Sequence, residues 1–341
     1  MAIRTAIVGY GTAGRVFHAP LIAADPAYEL ATVVTGSPER AAAAAVAYPG
    51  ATVVGGADAL FARADEFDLV VIGSPNETHA PLALRAIDAG KHVVVDKPVA
   101  VTVAEAEAVV ERAWARGVVF SVFQNRRWDG DFLTLRDVLA SGELGEVRQF
   151  ESAFEWFAPE LGERWKDTAP HAAGGGIAYD LAPHLIDQAV QLFGPVADLH
   201  AELDVRRAGG AADDEAFISM RHGSGVRARL WMSAVAPASR PRFRVVGEHG
   251  VLTFHGLDPQ EPQLIDGVRP GDPGYGRHAD GRAAELEGPS GARRIPLAAG
   301  DYPAYYRALA AAITEGRPVP VDPADSIAAL ALIEQVVAGA R

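Results

Sequence analysis

The N-terminal third of the chain alternates between short apolar runs and alanine-rich stretches. The apolar runs cover residues 5–8, 30–34, 69–72, 92–95 and 118–122. The stretches 80–89 and 104–116 have the apolar spacing of helices. Runs that are apolar throughout are typical of parallel strands with helices on both faces. We therefore predict α/β architecture here, a doubly wound parallel sheet.

The pattern changes near residue 123. Residues 131–140 and 179–193 have helical spacing, and residues 146–157 alternate like a strand with one wet face. Strand-like segments follow at 199–206, 216–221, 226–232, 242–246 and 250–255. Consecutive strands without helices between them are typical of antiparallel sheets. This part of the chain is thus expected to be α+β, built on an open, mainly antiparallel sheet.

The remaining segments complete a two-domain organisation. Residues 257–300 are rich in Gly, Pro, Asp and Arg, which predicts long loops or an irregular hairpin. Residues 302–314 and 324–340 have the pattern of closing helices. We predict one domain over 1–122 and another over 123–341, with the closing helices able to pack back on the first.

Composition narrows the function classes. The chain has no cysteine, which excludes disulfides, thiolate zinc sites and cysteine nucleophiles. A net charge of −13 argues against nucleic-acid binding, and no apolar run is long enough to cross a bilayer. The chain enters its first strand directly, so we expect no signal peptide, a cytoplasmic location and no membrane partner. We expect no metal site.

A glycine motif follows the first predicted strand. Gly9, Gly11 and Gly14 form G-x-G-x-x-G, and a helix is expected to begin near Thr12 or Ala13. In this context the first glycine makes a tight turn, the second admits a pyrophosphate and the third allows close helix packing. A helix N-terminus then offers N–H groups to phosphate. We predict a dinucleotide site that includes all five residues.

The end of the second strand bears on which dinucleotide binds. An NAD enzyme usually carries a carboxylate there, but this chain has Thr35-Gly36-Ser37-Pro38. Ser37 and Arg40 are candidates to hold a 2′-phosphate, with Thr35 beside them. Glu39 is a contrary sign if it points inward. NADP is the preferred cofactor and NAD the alternative.

Polar residues follow the third apolar run of the pattern, 69–72. Ser74, Pro75 and Asn76 come directly after it, and His79 lies three residues later. The carboxyl ends of parallel strands form the ligand side of an open α/β sheet, so these four residues are candidate cofactor contacts. Asn76 has two interpretations, a cofactor bond or a cap on the next helix.

A lysine ends another buried strand, in Asp96-Lys97-Pro98. The residue before proline is held extended, which displays Lys97 at the ligand edge. An ammonium there stabilises a developing alkoxide or polarises a carbonyl. We assign Lys97 to catalysis and to substrate and cofactor contacts, with Asp96 beside it. A surface lysine without function is the alternative.

A second group of polar residues opens the helix predicted at 179–193. Asp180 is expected to be its N-cap, and His184 and Asp187 follow near one face. His184 is a candidate general base, because histidine titrates near neutral pH. Asp180 is a candidate to orient it or to bind a hydroxyl. The glycines at 174–176 are interpreted as a flexible approach or as room for substrate. Alternatively, Asp180 is only a cap and His184 only a buried core histidine.

Together these motifs resemble the Gfo/Idh/MocA oxidoreductases. The resemblance rests on the glycine motif, on Asp96-Lys97-Pro98 and on the glycine-rich approach to Asp180-x-x-x-His184. Asp96 departs from the usual Glu of the family. Residues 122–129, 179–188, 256–261 and 302–306 resemble its YdgJ-type branch, which is similar to scyllo-inositol dehydrogenases.

The resemblance implies a fold, an assembly and a reaction. It implies a Rossmann domain followed by an open-sheet domain, a sugar or polyol substrate between them, and homodimers or homotetramers. It assigns catalysis to Lys97, Asp180 and His184. Asn125 and Trp128 follow the last Rossmann strand, near the domain junction, and are expected substrate contacts. Interdomain salt bridges and core packing are the alternative for this segment, and Arg126 and Arg127 have no assigned role.

We expect reversible hydride transfer between a secondary hydroxyl and nicotinamide C4. A glycosidase with a retained cofactor and a cofactor-sensing regulator without catalysis are the alternatives. The intact pair Lys97 and His184 disfavours the regulator. Substrate identity and the physiological direction stay open.

Overall fold

The computed structural model describes residues 2–162, 164–289 and 291–339. The chain forms two compact units. The first contains Met1–Asn125, Gln260–Tyr275 and Asp301–Ile327, and the second contains Arg126–Pro259, Gly276–Gly300 and Ala328–Arg341. The predicted boundary between the two domains, at residues 122 and 123, stays a prediction.

The strands of the described residues belong to two sheets. They are β1 Ile3–Val8, β2 Tyr28–Val34, β3 Thr52–Val54, β4 Leu69–Ile72, β5 His92–Asp96, β6 Phe120–Phe123, β7 Val147–Glu155, β8 Val196–Asp204, β9 Glu215–His222, β10 Arg227–Ser233, β11 Phe243–Gly247, β12 Val251–Phe254, β13 Ala283–Gly288 and β14 Gly291–Pro296.

The helices flank these sheets. They are α1 Ala19–Ala24, α2 Pro38–Ala47, α3 Ala57–Phe61, α4 His79–Asp88, α5 Val103–Arg116, α6 Gly130–Ser141, α7 Trp165–Thr168, α8 Ile177–Phe193, α9 Gln260–Ile265, α10 Pro303–Glu315 and α11 Pro323–Gly339. A π-helical segment, Ala13–His18, leads directly into α1. Ala340, the predicted end of the last helix, lies outside the described residues.

The first unit contains a six-stranded sheet in the order β3-β2-β1-β4-β5-β6, and every pair is parallel. The predicted doubly wound sheet is therefore confirmed. The sequence analysis missed β3, because its three residues are only half-buried and form no apolar run of the usual length. The carboxyl ends of β1, β4 and β5 carry the glycine motif, Ser74 and Lys97, which places these predicted features at one edge of the sheet.

Helix α10 belongs to the first unit although it lies far along the chain. The Tyr306 hydroxyl lies 2.7 Å from His18 Nδ1, and the Tyr28 hydroxyl donates to the Tyr306 carbonyl at 2.7 Å. Both tyrosines and the histidine are buried. The contact between His18 and Tyr306 therefore fixes the helical segment after the glycine motif against α10.

The second unit contains an eight-stranded sheet in the order β14-β13-β12-β11-β7-β10-β9-β8. The pair β7–β10 is parallel and the others are antiparallel, as the predicted α+β domain requires. Part of the region predicted as loops is more regular than expected. It contains α9 and a paired hairpin, β13–β14, that extends the sheet.

One face of this sheet is covered by α8 and the other is open. On β9 and β10 the buried positions alternate with half-buried ones. Phe217 and Trp231 pair on the outer face, with ring centroids 5.5 Å apart. An open face that carries aromatic side chains is typical of a surface that associates.

Helix α8 begins at Ile177, two residues before the predicted range of 179–193. Its N-cap is Gly176 and not Asp180, which lies inside the first turns. Asp213 takes the capping role, because its Oδ2 accepts the Ala178 N–H at 2.8 Å. Pro183 consequently lies in the helix interior, and not in a first turn as the sequence analysis assumed.

Candidate functional site

The glycine motif makes the turn that the sequence predicts. Gly9 has a φ of +96°, and a Cβ there would lie 2.7 Å from the Gly73 carbonyl oxygen. A Cβ on Gly14 would lie 2.0 Å from the Gly9 carbonyl oxygen. A Cβ on Gly11 would meet nothing nearer than Arg40 Nη1, at 3.8 Å. The first and third glycines are thus required for packing, whereas the second leaves backbone open to a ligand.

The loop after β2 presents a cation to this motif. Ser37 caps α2 by accepting the Arg40 N–H at 3.3 Å, and the Ser37 N–H donates to Thr35 Oγ1 at 3.3 Å. The Arg40 guanidinium lies beside Gly11, while Glu39 is exposed. The loop therefore combines a hydroxyl, helix N–H groups and a guanidinium, which suits a phosphate.

His79 joins two loops at the same edge of the sheet. Its Nδ1 lies 2.8 Å from the Pro98 carbonyl oxygen and its Nε2 lies 2.9 Å from the Ser74 carbonyl oxygen. The ring is buried, and burial lowers its pKa, against the opposing effect of the Pro98 carbonyl. Because both ring nitrogens face carbonyl oxygens, we expect His79 to support the loops that it joins.

The neighbouring residues of that loop take other positions. Asn76 is buried and begins a 3₁₀ turn, Asn76–Thr78, that precedes α4. Thr78 is the N-cap of α4, so the capping interpretation of Asn76 is wrong. Pro75 starts the turn by accepting the Thr78 N–H at 2.8 Å.

Lys97 ends β5 as predicted. It is half-buried, and the Asp96 carboxylate accepts its backbone N–H at 3.0 Å. The following peptide bond, to Pro98, is cis. Asp96 therefore holds the backbone of Lys97 at the carboxyl end of β5.

His18 is a buried histidine that the sequence analysis did not single out. Burial lowers its pKa to about 4, with Asp96 opposing the shift and His79 adding to it. Its Nδ1 bonds Tyr306 and its ring lies 4.5 Å from the ring of Phe123. A neutral, fully enclosed imidazole here supports the helix behind the glycine motif.

In the second unit, α8 carries the other predicted group. Asp180, His184 and Asp187 are spaced by four and three residues, which places them near one face of the helix. His184 and Asp187 are buried. Asp187 is held by Arg127, whose Nε and Nη2 lie 2.8 and 2.5 Å from its two oxygens. Arg127, to which no role was assigned, is thus part of the framework behind His184.

Asp180 lines a small cleft with a lysine that the sequence analysis missed. Lys166 Nζ lies 2.6 Å from Asp180 Oδ2. Trp156 and Arg164 are also on the walls of this narrow cleft. The only signal for Lys166 in the sequence is its type, because the chain has three lysines among 31 basic residues.

The glycines before α8 are closely packed and do not form a flexible approach. A Cβ on Gly175 would lie 2.0 Å from the Ala169 carbonyl oxygen, and one on Gly176 would lie 2.2 Å from Asp213 Oδ1. His171 Nε2 contacts that same carboxylate oxygen at 2.5 Å. Two of the three glycines therefore serve close packing at the start of the helix that carries the site.

The residues at which the chain passes from the first unit to the second are buried or half-buried. Asn125 is buried, and Trp128 is half-buried in the same short 3₁₀ turn. The Arg126 guanidinium lies over the Phe154 ring, 4.7 Å from its centroid, and the Arg126 carbonyl accepts from Gln188. Arg126 thus packs in the core of the second unit, whereas substrate contact by Asn125 and Trp128 stays a prediction.

The first unit fits a dinucleotide, since the open backbone at Gly11 and the adjacent Arg40 are what a pyrophosphate and a sugar phosphate require. Within the described ranges, no group of three or more His, Cys, Asp or Glu side chains is arranged to hold a metal ion. Over the same residues, no helix combines the length and apolar character needed to cross a membrane. Lys97 belongs to the first unit, and Asp180 and His184 belong to the second.

Two family models match the chain. The oxidoreductase family with an NAD-binding Rossmann fold, Gfo/Idh/MocA, matches residues 3–124. The Gfo/Idh/MocA C-terminal domain matches residues 132–253. The resemblance inferred from the motifs is confirmed by both.

Similar proteins include two bacterial oxidoreductases. The oxidoreductase YdgJ of Escherichia coli is 42% identical, over 99% of this chain and 96% of its own. The scyllo-inositol 2-dehydrogenase (NADP(+)) IolW of Bacillus subtilis is 30% identical, over 99% of this chain and 94% of its own.

Solved structures agree with the fold. The YPO2259 oxidoreductase from Yersinia pestis has a TM-score of 0.90 at 40% identity, covering 99% of this chain and 94% of its own. The oxidoreductase yvaA from Bacillus subtilis has a TM-score of 0.91 at 30% identity, covering 99% and 95%. The chain is an NAD(P)-dependent oxidoreductase of the Gfo/Idh/MocA family.

Proposed function

We propose that this enzyme oxidises or reduces a polyol or sugar at one secondary carbon, with NADP as the preferred cofactor. The observation that carries the proposal is the arrangement at the carboxyl edge of the parallel sheet. There the open backbone of Gly11, the guanidinium of Arg40 and the lysine that ends β5 occur in one unit. His184 and Asp180 supply the proton chemistry from one face of α8.

The cofactor site is assigned to the first unit. Gly9, Gly11 and Gly14 shape a turn that would hold the pyrophosphate, and the N–H groups of Thr12 and Ala13 would donate to its oxygens. Ser37 and Arg40 favour a 2′-phosphate, and the similar enzyme IolW is named for NADP(+). The bound nicotinamide supplies the hydride acceptor or donor.

The protein residues carry the proton and the charge. His184 accepts the hydroxyl proton during oxidation and returns it during reduction, since imidazole is the side chain suited to this at neutral pH. The Lys97 ammonium stabilises negative charge that develops on the oxygen. Asp180 accepts a hydrogen bond from a substrate hydroxyl or from the imidazole.

The cleft beside Asp180 favours an uncharged substrate. Its ionisable lining residues are balanced between three cations and three anions: Arg164, Lys166, Arg207, Asp167, Asp180 and Asp213. Because each sign is matched, the cleft has no excess charge to attract a phosphate or carboxylate, whereas hydroxyl groups find donors and acceptors. This supports an inositol or another neutral polyol.

A substrate panel tests the proposal. Purified enzyme is mixed with scyllo-inositol, myo-inositol, aldoses and small ketones, each with NADP and with NAD in both directions, and the nicotinamide absorbance is followed. We expect net NADPH formation with at least one inositol and a free ketone product. A cofactor that cycles without net reduction while a glycoside is cleaved would favour the glycosidase instead.

A second arm tests the cofactor preference. Arg40→Ala is expected to weaken NADP binding about 10- to 100-fold and to leave NAD binding nearly unchanged, because only NADP carries the 2′-phosphate. Kd is measured by fluorescence titration with each cofactor. Equal losses for both cofactors would remove Arg40 as the ligand of that phosphate.

A further inference from the structure

The ion pair between Lys166 and Asp180 belongs to the wall of the cleft and not to the outer surface. The side chain of Asp180 is only 12% exposed and that of Lys166 is 30% exposed. Their closest atoms, Nζ and Oδ2, are 2.6 Å apart. Both residues line the same narrow cleft. The pair is therefore well formed and partly enclosed, unlike the exposed ion pairs that contribute little.

The backbone around Lys166 is held independently of this pair. The Lys166 carbonyl accepts the N–H of Gly176, the N-cap of α8, at 3.0 Å. The next residue, Asp167, accepts two bonds from Arg164, at 2.6 and 2.8 Å, and one from Arg207 at 3.2 Å. The fold thus places the lysine stem at the start of α8, and the ammonium then reaches one turn along the helix to Asp180.

The residue type matters at this position. A carboxylate that is mostly buried needs a counter-charge or several donors to stay ionised and in one orientation. The chain supplies nearly all its positive charge with arginine and has only three lysines, Lys91, Lys97 and Lys166. An ammonium is a compact point charge that holds one carboxylate oxygen without the flat, two-pronged contact of a guanidinium.

We propose that Lys166 is a positioning residue, which holds the Asp180 carboxylate turned toward the cleft, where it accepts a hydrogen bond from a hydroxyl of a neutral polyol. This inference rests on the proposed function, and it adds a residue and a recognition contact to it. Lys166 acts through Asp180 and has no separate chemical step.

A double-mutant cycle tests this role. Wild type, Lys166→Met, Asp180→Asn and the double variant are assayed with NADP and scyllo-inositol, or with the polyol of the panel that is oxidised fastest. Lys166→Met is expected to lower kcat/KM about 10- to 100-fold in the wild-type background. In the Asp180→Asn background the same change is expected to cost less than about 3-fold, because the carboxylate it serves is gone. Lys166→Arg is expected to restore only part of the loss, since the positive charge returns but a guanidinium can engage both carboxylate oxygens.

Two measurements separate positioning from a structural effect. In Lys166→Met the Kd for NADP is expected to stay unchanged, and the melting temperature is expected to fall by only a few degrees, because a mostly buried carboxylate loses its counter-charge. Lys91→Met, the control, removes the same charge elsewhere. It is expected to leave kcat/KM, the melting temperature and the Kd for NADP unchanged.

Equal losses from Lys166→Met in both backgrounds, or wild-type kcat/KM in Lys166→Met, would overturn the role of Lys166 while the proposed function stands. A wild-type enzyme that reduces NADP with no member of the panel would overturn the proposed function, and this inference with it.

Discussion

His184 and Lys97 are the residues on which the chemistry depends. His184→Gln is expected to lower kcat about 10²- to 10⁴-fold, the usual contribution of a general acid–base group. Lys97→Met is expected to lower it about 10²- to 10³-fold, the usual cost of removing a donor to a developing oxyanion. Binding of NADP is expected to persist, since the glycine motif is intact in both variants. Initial rates and cofactor titrations on the same preparations provide the test. Full turnover in either variant would remove that residue from the mechanism.

His18 links stability to pH. Its pKa is about 4 in the folded protein, against 6.5 for an unperturbed histidine, because it is enclosed. The unfolded chain therefore takes up this proton near pH 6.5, whereas the folded protein resists it until about pH 4. Stability that is complete above pH 6.5 is lost as the pH falls toward 4, by up to about 3 kcal/mol.

Urea unfolding at a series of pH values from about 7.5 to about 4.5 measures this loss. His18→Gln is expected to show a clearly shallower decline of the unfolding midpoint, although it starts from a lower stability. His200→Gln is the matched control, because His200 is exposed on β8. An unchanged decline in His18→Gln would show that this proton does not control acid stability.

The turn between β1 and the following helix separates two uses of glycine. Gly14→Ala forces a Cβ to 2.0 Å from a backbone oxygen, so the turn must deform. We expect a loss of about 1–3 kcal/mol of stability and of NADP binding together. Gly11→Ala meets only Arg40, at 3.8 Å, so we expect it to bind NADP poorly while melting within about 2 °C of wild type. Differential scanning calorimetry and NADP titration of both variants decide this, and an intact affinity in Gly11→Ala would argue against phosphate contact there.

Helix α8 shows where prediction from sequence stops. Its amphipathic pattern predicted the element and its end at Phe193, because both depend on neighbouring residues. Its start was misplaced, because the side chain that caps it belongs to Asp213. That carboxylate accepts the Ala178 N–H from 35 residues away along the chain. Contacts of this kind leave no local pattern. The same reason hid Lys166, whose partner Asp180 lies on a different helix.

The open sheet face of the second unit predicts association of whole molecules. Phe217 and Trp231 lie on it, and the Arg240 guanidinium stacks over Trp231 at 5.0 Å. We propose a homodimer or homotetramer through this face. Trp231→Glu is expected to lower the mass measured by light scattering toward that of one chain. Trp114→Glu, which alters an exposed tryptophan on α5, is the control and should leave the mass unchanged. An unaltered mass in Trp231→Glu would place the interface elsewhere.

At the level of the whole chain, local patterns predicted the two fold classes but not how the chain is divided. Period-two and period-3.6 patterns identified most strands and helices of both sheets. They gave no sign that residues 260–275 belong with the first unit. The contacts that hold α10 there, such as Tyr306 with His18, join residues 288 positions apart.

Hydride transfer itself is tested most directly with labelled substrate. scyllo-Inositol that carries deuterium at its ring carbons is oxidised with NADP, and the product cofactor is analysed by NMR. The proposed mechanism predicts deuterium at nicotinamide C4 of NADPH, and at least a hundredfold less of it with His184→Gln at equal enzyme and time. Reduced cofactor without deuterium, or equal transfer by His184→Gln, would contradict the mechanism.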